Sequence, residues 1–133
     1  MLASSVLLAE APVTPAGLRL MPWPASVAVQ PGAVAIDGGF TVFASGAGAN
    51  DPRVQSAIRR LFKNLDRETG LLLPRVVSQE NDATLRIVVE KRDHPPPQRL
   101  GDDESYSLEA SDGHVTISAS KPLGALRGMQ TFL

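Results

Sequence analysis

ESYSLEASDGHVTISAS, residues 104–120, decides how this chain folds. Asp112-Gly113 separates two alternating runs, and a two-residue type I′ turn requires positive φ at both central positions, which Asp and Gly tolerate. The register follows from the pattern. With Ser111 opposite His114, Ala110 meets Val115, Leu108 meets Ile117 and Tyr106 meets Ala119, all on one face. Ser107 and Glu109 meet Thr116 and Ser118 on the other. A slip of one residue would carry every apolar side chain to the wrong face. The stretch is read as a β-hairpin with one buried side.

Immediately after it comes KPLGALRGMQTFL, residues 121–133. Leu123, Leu126, Met129 and Leu133 recur at steps of three and four, with Ala125 and Phe132 widening the stripe, so the segment is an amphipathic helix. Pro122 suits its first position, where a missing N–H costs nothing. Gly124 and Gly128 each weaken a helix by about 1 kcal/mol relative to alanine. Their spacing puts both on one side, where another backbone can approach closely, either within the domain or from a neighbour. No Gly, Asn, Pro or polar run marks a stop after the stripe, so the helix carries no signal of its own end.

Working towards the N-terminus, Thr84–Glu90 alternates as a strand with Leu85, Ile87 and Val89 on one face. KRDHPPPQRLGDD, residues 91–103, is a proline-rich loop. Residues 51–70 form a second helix: Asp51 caps it, Pro52 takes the first position, and Gly70 ends it. Val54, Ala57, Ile58, Leu61, Phe62 and Leu65 make its apolar face. Leu71–Val77 is apolar but contains Pro74, so it is a connection or an edge piece. Short alternating pieces at Val27/Val29, Val34/Ile36 and Phe40/Val42 read as three further strands, after an extended lead-in around Trp23. The predicted fold class is α+β: a single sheet of several strands with two helices packed on one face.

Composition narrows the function. The chain has 133 residues, enough for one domain with a real core. Its formal net charge of −1 supplies no field that would gather nucleic acid or an anionic membrane. With no cysteine, thiolate metal sites and cysteine nucleophiles are excluded. Leu2–Ala9 is a short apolar run that ends in Ala9-Glu10-Ala11, without a basic start and too short to span a bilayer. Residues 1–17 are therefore expected to be a disordered leader or the remnant of a secretory signal, and residues 18–133 the folded domain.

Few residues carry candidate chemistry. Asp102-Asp103-Glu104 is the densest carboxylate cluster, and paired carboxyls can work on a glycosidic bond. Neighbours on a strand, however, point to opposite faces, which favours a solvated loop end. His94 and His114 have no second ligand at helical spacing, so no metal or cofactor is expected. Arg60, Lys63 and Arg67 line one side of the first helix, interrupted by Asp66 and Glu68 and without aromatic partners for nucleic acid. They read as a solvated face. No P-loop, Rossmann or G-x-S-x-G pattern occurs.

LMPWPASV near the start and DESYSLEASDGHVTISASKPLGALRGMQTFL at the end resemble the N-terminal domain of family 20 glycoside hydrolases, the β-N-acetylhexosaminidases. The pieces that carry the resemblance are Glu104-Ser105-Tyr106-Ser107-Leu108, Asp112-Gly113 and the helix from Gly124 to Phe132. It covers roughly residues 18–133 and is most specific in the last thirty. The resemblance implies a zincin-like sheet-and-helix domain without zinc, followed by a (β/α)8 barrel that holds the active site. Such a barrel needs about 250 residues, so it lies outside this chain. In the family the sugar's own acetamide attacks the anomeric carbon, and an acid/base glutamate sits on the barrel. Asp103-Glu104 copies the family's Asp-Glu dipeptide in the wrong domain, so no catalytic residue carries over.

The resemblance therefore implies an inactive accessory domain, whose parent removes terminal β-linked N-acetylhexosamine from glycoconjugates or chitooligosaccharides, and a signal remnant at the N-terminus would make the periplasm or the extracellular space the expected location. Its implied partner is the barrel of the same polypeptide, with oligosaccharide met only through that barrel and no contact with nucleic acid or membrane. Leu126, Met129 and Phe132 are the residues expected in core or interdomain packing. Two alternatives stay open: an accessory domain of an O-GlcNAc-hydrolase-like or α-glucuronidase-like enzyme, and a free-standing carbohydrate-binding or protein-interaction module. For the module, Trp23 is the candidate aromatic platform.

Overall fold

The computed structural model describes residues 17–21, 23–75, 82–93 and 98–133. The chain divides into two compact units, Met1–Pro31 and Gly32–Leu133. In the first unit the described residues have no regular secondary structure, so the strand expected at Val27/Val29 is not formed. Two alternating valines between prolines offer a ladder too few pairs, and Val29 is 63% exposed. Most of the expected leader, residues 1–16, lies outside the described residues.

The second unit holds six elements: β1 (Val42–Ser45), α1 (Pro52–Thr69), β2 (Leu85–Val89), β3 (Ser107–Ser111), β4 (His114–Ala119) and α2 (Pro122–Phe132). They build one four-stranded mixed sheet in the order β1-β2-β4-β3. β1, β2 and β4 are parallel, and β3 returns antiparallel on β4. The hairpin has the register the alternation dictates, with Ser111 beside His114, Ala110 beside Val115 and Leu108 beside Ile117. Asp112 and Gly113 have φ of 50° and 78°, the two positive values of a type I′ turn.

Two expectations upstream are corrected. Val34 and Ile36 belong to no strand but lie half-buried against the core. The strand predicted at Phe40 begins at Val42 instead, because the turn at Asp37 still holds Phe40. The Phe40 amide donates to the Asp37 carbonyl at 3.0 Å, and the Gly39 amide to its side chain at 2.8 Å. Phe40 is nevertheless 1% exposed and packs edge-on to Phe62.

Alternation on β2 and β4 sorts the sheet into two faces. Val42, Leu85, Ile87, Val115 and Ile117 are buried beneath the helices, sharing one core with Ile58, Leu61 and Phe62 of α1 and with Ala125 and Met129 of α2. Phe43, Arg86 and Thr116 adjoin one another on the opposite face and stay half-exposed. The buried side chains are all apolar or small, and no polar or charged residue is buried among the described residues.

The helices are fixed differently. Asp51 accepts a hydrogen bond from the Arg53 amide at 2.8 Å and holds the Arg53 guanidinium at 2.9 Å, closing the start of α1. Gly70 ends that helix at φ 68°, its amide donating to the Asp66 carbonyl at 2.9 Å. Lys121 before α2 makes no side-chain cap. The segment leading into β3 holds this helix by its side instead.

Candidate functional site

The carboxylate cluster is brought together with α2, not with a cleft. Glu104 grips Arg127 with both oxygens, Nε to Oε2 at 2.7 Å and Nη2 to Oε1 at 3.3 Å. Two residues on, the Tyr106 hydroxyl hydrogen-bonds the Thr131 hydroxyl. Between them the Ser105 carbonyl lies against Gly124, where any Cβ would collide with it. One turn later, a Cβ on Gly128 would strike the Ile117 side chain and press on the Tyr106 ring. Residues 104–106 thus clasp one side of α2, and the neighbour for which both glycines make room lies inside the domain.

This arrangement favours the ionised form of Asp103 and Glu104. A general acid needs a carboxyl whose pKa is raised, so that it still carries its proton. The Arg127 hydrogen bonds hold Glu104 below its ordinary value, and the Ser105 hydroxyl and amide do the same for Asp103. Asp102 closes a local turn, accepting from the Arg99 amide at 2.8 Å. All three carboxylates are exposed.

His114 lies at the start of β4 with Nδ1 3.1 Å from the Ala83 carbonyl, which makes Nδ1 the protonated nitrogen. His94 lies outside the described residues. Among the described residues no group of three or more His, Asp or Glu side chains could hold a metal ion. None of their helices is long and apolar enough to cross a membrane.

What remains open is the surface between the helices. Leu61 and Met129 form the floor of a groove of about 150 Å³, with Leu126 half-buried along it. Its banks are Arg60 and Asn64 on α1 and Gln130 on α2, and Leu133, 48% exposed, sits at its end. Of the three residues expected in packing, Leu126 and Met129 line this groove. Phe132 turns inward and stacks on Phe40 with centroids 6.4 Å apart. Leu133, present in the apolar stripe but not singled out as a packing residue, is the exposed one. The stripe records that a residue is apolar, not which of two neighbours receives it.

Arg60, Lys63 and Arg67 are exposed along α1, as read from the sequence. Trp23, within the first unit, is 52% exposed, and Met21 near it is 86% exposed.

A family described as β-acetyl hexosaminidase-like matches residues 20–133. Among solved structures, the X-ray structure of Flavobacterium johnsoniae chitobiase superposes with a TM-score of 0.74 at 33% sequence identity. The match covers 85% of this chain but 17% of that one, so the chain spans about a sixth of the length of that chitobiase. No curated protein matches the chain.

Proposed function

The chain belongs to the β-acetyl hexosaminidase-like domain family of glycoside hydrolase family 20, and from that premise we propose that it is the non-catalytic N-terminal domain of a β-N-acetylhexosaminidase. The parent enzyme removes terminal β-linked N-acetylhexosamine from glycoconjugates or chitin-derived oligosaccharides by substrate-assisted hydrolysis, and a barrel in the same polypeptide does the chemistry. The observation that carries this reading is the pairing of a family match over residues 20–133 with coverage of only 17% of the matched chitobiase. Glu104 supports it, since a carboxylate locked to Arg127 and held ionised is suited to fastening a helix and unsuited to protonating a leaving group.

The role assigned to this chain is structural. It presents the groove between α1 and α2, with Leu126 and Leu133 as apolar area left over from its own core. Export to the periplasm or the extracellular space is part of the proposal, resting on the apolar run Leu2–Ala9 and the Ala9-Glu10-Ala11 at its end. Sequencing the N-terminus of the secreted parent tests it.

A chromogenic N-acetylglucosaminide, offered to the 133-residue chain and to the parent polypeptide, tests the assignment. Turnover by the parent and none by the chain is expected. Turnover by the chain above a mock preparation would sink the non-catalytic reading. A second reading, a carbohydrate-binding module, draws on the exposure of Trp23. Saturable quenching of Trp fluorescence by chitooligosaccharides would favour it.

A further inference from the structure

Two Asp-Gly steps occur in the chain, Asp37-Gly38 and Asp112-Gly113. Such a step is reactive because glycine places no side chain in front of its own nitrogen, which can then approach the preceding Cγ. The fold treats the two steps differently. Asp37 is engaged at both ends: its Oδ1 accepts from the Gly39 amide at 2.8 Å, and its carbonyl accepts from the Phe40 amide at 3.0 Å. Phe40, buried in the core, anchors that turn. Asp112 and Gly113 stand exposed at the tip of the β3–β4 hairpin. Among the described residues no donor and no ion-pair partner meets the Asp112 carboxylate. β3 is an edge strand paired only with β4, so the tip can open locally while the rest of the sheet stays closed.

We propose that Asp112 is a site of spontaneous isomerisation to isoaspartate and that the fold protects Asp37 from the same reaction. The chemistry consumes nothing but water and returns it. When the turn opens, the Gly113 nitrogen attacks Cγ of the protonated Asp112 carboxyl. The N–Cγ bond forms, the amide proton and the carboxyl hydroxyl leave as one water, and a five-membered succinimide closes. Water then adds to either ring carbonyl. Breaking the new N–Cγ bond restores aspartate. Breaking the original bond between the nitrogen and the main-chain carbonyl carbon of Asp112 leaves the backbone running through the side chain, with the former main-chain carbonyl as the free carboxylate.

The product carries one extra carbon in the backbone of a turn whose two-residue length sets the register of the hairpin. Ala110 beside Val115 and Leu108 beside Ile117 are the pairs that depend on it. The residues that grip α2, Glu104 and Tyr106, lie just upstream on the same strand path. Isomerisation at the tip therefore loosens α2 through β3.

The test incubates the 133-residue chain at neutral pH and physiological temperature, folded and in urea. Digestion with an endoprotease that cuts before aspartate but not before isoaspartate, read by mass spectrometry, locates the product. In the folded chain isoaspartate should accumulate several-fold faster at position 112 than at position 37, and in urea the two rates should converge. Equal rates in the folded chain, or a faster rate at Asp37, overturn the assignment. A difference that persists undiminished in urea places its cause in the flanking sequence and overturns the protection of Asp37 by the fold. The isomerised fraction, separated by chromatography, should exchange the amide hydrogens of α2 several-fold faster than the unaltered chain. Unchanged exchange overturns the transmission to α2. None of these rates depends on what the parent polypeptide hydrolyses.

Discussion

The two helices lie on the same face of one sheet, yet they are held by opposite strategies. α1 carries its own instructions: Asp51 starts it, Gly70 stops it, and six apolar residues at helical spacing bury its inner side. α2 has no side-chain cap and contains two glycines that weaken it, and it is secured by residues of the segment leading into β3. A helix specified locally tolerates change wherever its face and caps are kept. A helix specified by its neighbours fails where those neighbours touch it, and its poor intrinsic propensity is the cost of letting a backbone come close.

That contrast can be broken most forcefully at Gly124. In a helix free of neighbours alanine would stabilise by about 1 kcal/mol. Here the new methyl meets the Ser105 carbonyl, which is backbone and cannot swing away. Gly124→Ala should therefore destabilise by about 2–3 kcal/mol, seen as a lower urea midpoint. Unchanged or raised stability would show that the clasp is loose. Gly128→Ala should cost somewhat less, about 1–2 kcal/mol, because its first obstacle is the Cγ2 methyl of the buried Ile117, a side chain and not backbone.

On α1 the same logic predicts a smaller effect. Asp51→Ala removes a cap and should cost about 1 kcal/mol, whereas Asp51→Asn keeps the cap and should recover most of it. If the two variants are equally unstable, the ion pair to Arg53 and not the cap secures the helix start.

Acid provides the mildest perturbation. The Arg53 hydrogen bonds hold Asp51 below its ordinary value, and those of Arg127 do the same for Glu104. A carboxyl with a lowered folded-state pKa contributes stability that is complete above its unfolded value and disappears as pH falls through the folded one. Glu104→Gln should therefore melt slightly below the unaltered chain at neutral pH, and the two should converge in acid. A constant gap down to the lowest pH at which the chain stays folded would mean that the carboxylate charge is irrelevant to the clasp.

Legibility in the sequence follows the same division. The hairpin register, both helices and the capping of α1 could be read because each depends on residues close together in the chain. The strands expected at Val27/Val29 and Val34/Ile36 failed because two alternating valines or a Val/Ile pair say nothing about whether a partner strand is at hand. For Gly124 and Gly128 the sequence signalled a close approach but not its source, since Ser105 and Ile117 reach α2 only through the folded sheet. Glu104 looked like half of a carboxylate pair. Arg127, 23 residues further on, makes it a clasp. Leu126 and Phe132 belonged to one apolar stripe, and only packing separates the residue that lines the groove from the one that stacks on Phe40.

The central claim is that the carboxylates of this chain hold a helix and leave hydrolysis to another part of the polypeptide. The most direct test is the turnover number of the parent polypeptide carrying Glu104→Gln, measured on a chromogenic N-acetylglucosaminide at a temperature where the variant stays folded. The account predicts the unaltered kcat. A fall of about a hundredfold or more, the scale of losing a general acid, would contradict it.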